Sequence, residues 1–198
     1  VARVAAAAFG AMADAVLKIE GDLGRLDAVA GDGDHGAGMA RGMSAAATAA
    51  ATAGPTSADV ISAAALAFSD AAGGASGALW GAGLLALSAA IRPSVPIRRG
   101  IGEPAPDVAT VRRGLVAALE AVMRLVGARP GDKTMIDALA PFVEAVGSSD
   151  APSVALAWSG ERILGLLAGA GTLLLGRITW GALSGMEVVF HAAARVSL

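Results

Sequence analysis

Along most of this chain apolar residues recur every three or four positions, and clusters of Gly, Pro and short polar residues interrupt the pattern. The clearest instance places Val108, Val111, Leu115, Leu119, Val122 and Val126 on one side of a helix and Arg112, Arg113, Glu120 and Arg124 on the other. Asp107 stands where an N-cap is needed. The same reading gives helices over 2–20, stopped by Gly21-Asp22-Leu23-Gly24, and over 37–53, stopped by Gly54-Pro55. A third helix, over 58–72, is capped by Thr56 or Ser57. Gly73-Gly74-Ala75-Ser76-Gly77 separates it from a fourth that ends near Ile91. Residues 93–106 carry four of the eight prolines and predict a surface loop. Gly127 to Gly131 closes the 108–126 helix, Asp132 caps a sixth that runs to about Val146, and two more apolar blocks follow Pro152. Neither an internal repeat nor a second domain is visible, so residues 1–198 are read as one domain. Helices joined by short Gly-rich turns pack as antiparallel neighbours, which makes the expected fold all-α, an up-and-down bundle of six to eight helices.

Composition supports that architecture and excludes several functions. Alanine, the strongest helix former, supplies 50 of the 198 residues. With 55% hydrophobic and 16% charged residues the chain can bury a core, which sets it apart from disordered sequences. A net charge of −2, no basic run and 4% aromatics speak against nucleic acid as a partner. The absence of cysteine removes disulfides, thiolate metal sites and a cysteine nucleophile, and suits a cytoplasmic protein. The most apolar run, 163–176 between Arg162 and Arg177, is shorter than the roughly 20 residues a bilayer requires and is expected to be a core helix, with no membrane span. The N-terminal block contains Asp14, Lys18 and Glu20 and reads as an amphipathic helix rather than a signal peptide. The missing initiator Met suggests a processed chain or a domain cut from a longer one.

Where charge is scarce, its clustering is informative. Asp27, Asp32 and Asp34 fall within eight residues, in Asp27-Ala28-Val29-Ala30-Gly31-Asp32-Gly33-Asp34-His35-Gly36. Such carboxylates repel one another unless a cation lies between them, and an all-oxygen set selects Mg²⁺, Mn²⁺ or Ca²⁺. The alternative is a solvated Gly-Asp turn. An EF-hand does not fit, because the twelfth position is Met43 counted from Asp32 or Gly38 counted from Asp27, where that motif has Glu. His35 alone reads as a hydrogen-bonded loop residue. The second loop, Gly73 to Gly77, presents backbone N–H groups, the Ser76 hydroxyl and a helix N-terminus to one point, as phosphate binding requires, but it lacks the Gly-Lys-Ser/Thr of a P-loop. It could equally be a helix–helix turn. A third loop, Pro130-Gly131-Asp132-Lys133-Thr134-Met135-Ile136-Asp137, opens another helix and reads blandly as a capped terminus.

Taken together and in this order, the three loops resemble the nucleotide-binding L domain of the dihydroxyacetone kinase family, over about Ala5 to Trp158. The resemblance implies a closed barrel of about eight antiparallel helices with the nucleotide at one end. It further implies that Asp27, Asp32 and Asp34 hold two Mg²⁺ ions bridging the phosphates of ATP or ADP. His35, Gly36, Ala37, Gly38, Ala75 and Ser76 would contact the phosphates, and Gly127 and Met135 would line the base and ribose. No catalytic side chain beyond the metal site is implied. A phosphoryl group in transfer needs its charge neutralised and its direction fixed more than it needs a protein nucleophile.

The implied enzyme is half of a dihydroxyacetone (glycerone) kinase. Its substrate, a small ketose or triose, is held on a separate K domain or subunit, nothing resembling which occurs here. The phosphoryl donor is either free ATP or a retained ADP recharged by a phosphotransferase-system protein. A homo-oligomer is compatible with the sequence. The rival readings are the related nucleotide domain of fatty-acid kinases and a non-catalytic, nucleotide-sensing regulatory partner. Two departures stand out. Gly38 occupies a position where the family often has Asn, and after Trp158 neither a Gly-Arg-rich stretch nor an Asp-Pro-Gly loop is recognisable. The segment 159–198 is divergent, so the nucleotide lid is expected to be incomplete and exchange fast.

Overall fold

The computed structural model describes residues 1–29, 31–94, 102–132 and 134–147. Six helices occur there and no strand is present among the described residues: α1 (Ala2–Asp27), α2 (His35–Thr52), α3 (Ser57–Ala72), α4 (Gly74–Ile91), α5 (Val108–Val126) and α6 (Ile136–Gly147). The all-α expectation holds. The two helical blocks expected after Pro152, the apolar run 163–176 and the segment after Trp158 lie outside the described residues.

Small residues let neighbouring helices approach closely, and the positions where they do so establish the antiparallel order. A Cβ on Gly36, at the start of α2, would collide with the Glu20 carbonyl near the end of α1. Gly42 of α2 faces Phe68 and Ala72 of α3, and Gly77 and Gly81 of α4 face Ser69 of α3. Gly83 and Val122, and Gly114 with Leu87 and Ile91, join α4 to α5 in opposite directions. Val111 and Val146 bring the start of α5 to the end of α6. Phe9, Met12 and Val16 of α1, Met39 and Met43 of α2, and Ile61 and Phe68 of α3 form the main core. A smaller core of Leu79, Val122, Met135, Ile136 and Leu139 holds the α5–α6 connection against α4. The α1–α2, α3–α4 and α5–α6 connections therefore share one end of the bundle.

At the opposite end the helices are capped. Thr56 caps α3: its Oγ1 accepts from Asp59 N at 3.0 Å, and the Asp59 carboxylate accepts from Thr56 N in return. Glu103, in the stretch expected to be a loop, accepts from both the backbone N–H and the hydroxyl of Ser57. Asp107 caps α5 by accepting from Thr110 N at 2.7 Å, as its sequence position predicts.

Four boundaries differ from the sequence expectation, each for a physical reason. Helix α1 does not stop at Glu20 but continues to Asp27, because Leu23 is buried in the core and Gly24 lies where a side chain would press on the Gly33 carbonyl. Helix α2 starts at His35, two residues early. The break between α3 and α4 narrows to Gly73, whose φ of +67° turns the chain, so that Ala75, Ser76 and Gly77 are already helical. Asp132 does not cap α6. It accepts from Arg129 N within the connection, whereas Thr134 Oγ1 accepts from Ile136 N, where α6 begins. Helix α4 is long and apolar enough to cross a bilayer, and it packs between α3 and α5 through Gly77, Gly81, Gly83 and Leu87.

Candidate functional site

At the shared end of the bundle lies a cavity of about 230 Å³, lined by residues of α1, α2, α3 and α4. Its acidic wall is built by the α1–α2 connection. Asp27 ends α1 and is 4% exposed, while Asp32 and Asp34 follow in the loop and are exposed. One carboxylate oxygen from each lies within 4.8 Å of the others. The turn that brings them together passes so close to Asp27 that a Cβ on Gly31 would strike its carboxylate, and Gly33 adopts a φ of +83°. His35 N donates to Asp27 Oδ2 at 3.2 Å, and Asp34 N donates to Asp32 Oδ1 at 3.3 Å.

The rest of the lining is formed largely by helix N-termini. Gly73, Gly74, Ala75 and Ser76 line the cavity at the N-terminus of α4, whose hydrogen-bond ladder begins only at Gly77 N to Gly73 O. Helix α2 likewise begins at the cavity, its ladder starting at Gly38 N to Asp34 O. Two helix N-termini thus direct free N–H groups and the positive ends of their dipoles towards one volume, the arrangement that suits an anion.

Electrostatics registers the crowding. The charge of Asp32, then its hydrogen bonding, raises the pKa of Asp34 above the ordinary carboxylate value. Burial lowers that of His35, partly offset by the negative charges of Asp27 and Asp34. His35 Nε2 is buried with no hydrogen-bond partner. Crowded carboxylates beside an orphaned imidazole nitrogen are the donor chemistry of a hard divalent cation and a phosphate. The spacing suits it, since Mg²⁺ bonds oxygen at about 2.1 Å and needs only small side-chain adjustments to reach all three acids.

Of the residues predicted from sequence, Asp27, Asp32, Asp34, His35, Gly38, Ala75 and Ser76 all line this cavity. Gly36 and Ala37 occupy the first turn of α2, where Gly36 is buried against α1. Gly127 and Met135 stand apart from the cavity lining: Gly127 is the left-handed C-cap of α5, and Met135 is fully buried in the smaller core. Sequence reasoning missed Met39, Arg41 and Ala72 in the lining. For Arg41 the signal was available, because positions 34, 38 and 41 follow the i, i+4, i+7 rhythm of one helix face.

A model of the DAK2 domain family matches residues 29–160, two thirds of the chain. The chain belongs to the DAK2 domain family. Among its relatives, the D-erythrulose kinase of Mycolicibacterium smegmatis is 49% identical over 146 residues, covering 72% of this chain and 24% of that enzyme. The ADP-binding subunit DhaL of the PTS-dependent dihydroxyacetone kinase of Lactococcus lactis is 29% identical over 150 residues, covering 75% of this chain and 71% of the subunit. The chain therefore spans about a quarter of the length of the erythrulose kinases it matches but most of a DhaL subunit. The dihydroxyacetone kinase of C. freundii, solved with AMP-PNP and Mg²⁺, shares the fold with a TM-score of 0.58 at 19% identity, over 99% of this chain and 34% of that one.

Proposed function

We propose that this DAK2 domain is the Mg-nucleotide-binding half of a cytoplasmic kinase that phosphorylates a hydroxyl of a small ketose, dihydroxyacetone or the four-carbon erythrulose. The observation that carries the reading is the single cavity in which Asp27, Asp32 and Asp34 face the N-termini of α2 and α4. Relatives named as erythrulose and dihydroxyacetone kinases supply the class of acceptor.

In this reading Asp27, Asp32 and Asp34 hold two Mg²⁺ ions, which when bound neutralise and orient the phosphates of ATP or ADP. The free N–H groups of Gly36 and Ala37 and of Gly74, Ala75 and Ser76, with the Ser76 hydroxyl, receive the phosphate oxygens. His35 Nε2, buried and unpaired, gains a partner there. Gly127 and Met135, which stand apart from the cavity lining, would take the base and ribose. The chain's own residues thus bind and orient the donor, and a separate K domain or subunit presents the ketose. A phosphotransferase-system protein could recharge a retained ADP in the same site.

The test is reconstitution. The purified chain should not phosphorylate dihydroxyacetone or erythrulose above background, and adding the K partner from the same genome should give Mg²⁺-dependent transfer. Full activity of the chain alone, or none with the partner despite bound Mg-nucleotide, contradicts the reading.

A further inference from the structure

A second charged feature of the cavity has no part in the assignments above. Arg41 lines it from α2 and is the one permanently charged cation among the described lining residues. It is exposed and forms no ion pair with a described residue. Its place on the helix follows from spacing: Asp34, the N-cap, then Gly38 and Arg41 share one face of α2. Side chains on a helix lean towards its N-terminus, and Arg41 does so, with Nη2 3.8 Å from where a Gly38 Cβ would stand. Gly38 leaves that space open, so the guanidinium reaches back over the first turn of α2 towards the acidic loop.

We propose that Arg41 is a phosphate-binding residue of the nucleotide site, reaching the terminal phosphate across the space that Gly38 leaves free. The inference rests on the nucleotide-binding reading of the cavity. Three carboxylates cancel most of the charge of the divalent ions they hold, so a nucleoside diphosphate entering the cavity still requires a cation from the protein. A guanidinium supplies paired N–H donors that match a phosphate and keeps its charge at every working pH.

A merely electrostatic partner of the acids would behave differently from a phosphate ligand, and that difference makes the proposal testable. The measurement is calorimetric titration of the full chain, wild type, Arg41→Ala and Arg41→Lys, with Mn²⁺ alone, with Mg-ADP and with adenosine, helical content being checked by circular dichroism. Arg41→Ala should weaken Mg-ADP at least tenfold, or about 1.4 kcal/mol. Mn²⁺ affinity should stay constant or rise, because a positive charge has left the neighbourhood of the carboxylates, and adenosine affinity should not change. Arg41→Lys should recover part of the loss. Equal Mg-ADP affinity in wild type and Arg41→Ala overturns the proposal while leaving the nucleotide reading intact. Parallel loss of Mn²⁺ and Mg-ADP affinity in Arg41→Ala also overturns it, by assigning Arg41 to the shaping of the metal site. Failure of the wild-type chain to bind Mg-ADP overturns the nucleotide reading and this proposal with it.

Discussion

His35 donates its backbone N–H to the buried carboxylate of Asp27, tying the first residue of α2 to the last residue of α1. A connection of seven residues is thereby folded back so that its two exposed acids, Asp32 and Asp34, stand beside the buried one. The acid at the end of α1 both fixes the loop and offers its remaining electron pairs to the cavity.

Asp34 carries charge without carrying the fold, since it is exposed and its side chain caps nothing. Asp34→Asn should weaken Mg²⁺-dependent nucleotide binding at least tenfold, about 1.4 kcal/mol, with unchanged helical content. Without metal the substitution should leave stability equal or higher, because one of three crowded like charges is removed. Titration calorimetry and thermal unfolding in chelator check the two halves, and equal nucleotide affinity in mutant and wild type would remove Asp34 from the metal site.

Two glycines two residues apart on α2, on different faces of the helix, should respond with opposite signs. A Cβ at Gly36 would meet the Glu20 carbonyl and the Gly24 amide, both backbone, so Gly36→Ala should cost about 1–3 kcal/mol and disturb the α1–α2 connection. At Gly38 the nearest atoms are the Ala72 carbonyl at 3.5 Å and the Arg41 guanidinium at 3.8 Å, ordinary contact distances. Gly38→Ala should therefore stabilise the fold by up to about 1 kcal/mol through the helix preference of Ala. Denaturant midpoints of the two variants decide this, and destabilisation at both positions would contradict the packing described.

The caps at the far end of the bundle give a stability handle separate from the site. Thr56→Ala should cost about 1 kcal/mol by losing the α3 cap. The pKa of Asp59 is lowered by hydrogen bonds from Arg92 and then Thr56, and that of Asp107 by hydrogen bonds from Thr110. A depressed folded pKa contributes stability that is present above the unfolded value of about 3.9 and is lost as pH falls through the folded value. Stability should fall below about pH 4, and Asp59→Asn should flatten part of that slope. Urea unfolding between pH 7 and pH 3 measures it, and an unaltered slope would separate Asp59 from the acid response.

Much of this was legible in the sequence. Helix α5 follows from one-faced periodicity, with Asp107 and Gly127 as its caps. The acidic cluster was legible because carboxylates are rare in this chain and three stand close in sequence. The boundaries failed where tertiary packing overrode local punctuation. Gly21 and Gly24 look like a stop signal, yet the helix continues because Leu23 enters the core and Gly24 packs against the Gly33 carbonyl of the following loop. Gly73 to Gly77 look like a loop, yet only Gly73 lies outside a helix, and the chemistry moves to the exposed first turn of α4. Arg41 was overlooked because motif reading ended at the glycine-rich loop, whereas the cavity extends along the helix face behind it.

The central claim is that the cavity between the acidic loop and the two helix N-termini holds a nucleotide through divalent metal. The most direct measurement is titration of the full chain with ADP, once in Mg²⁺ and once in chelator. The account predicts binding in the micromolar range with Mg²⁺, about −8 kcal/mol, and its loss without the metal. Equal affinity in Mg²⁺ and chelator, or no binding in either, would contradict it.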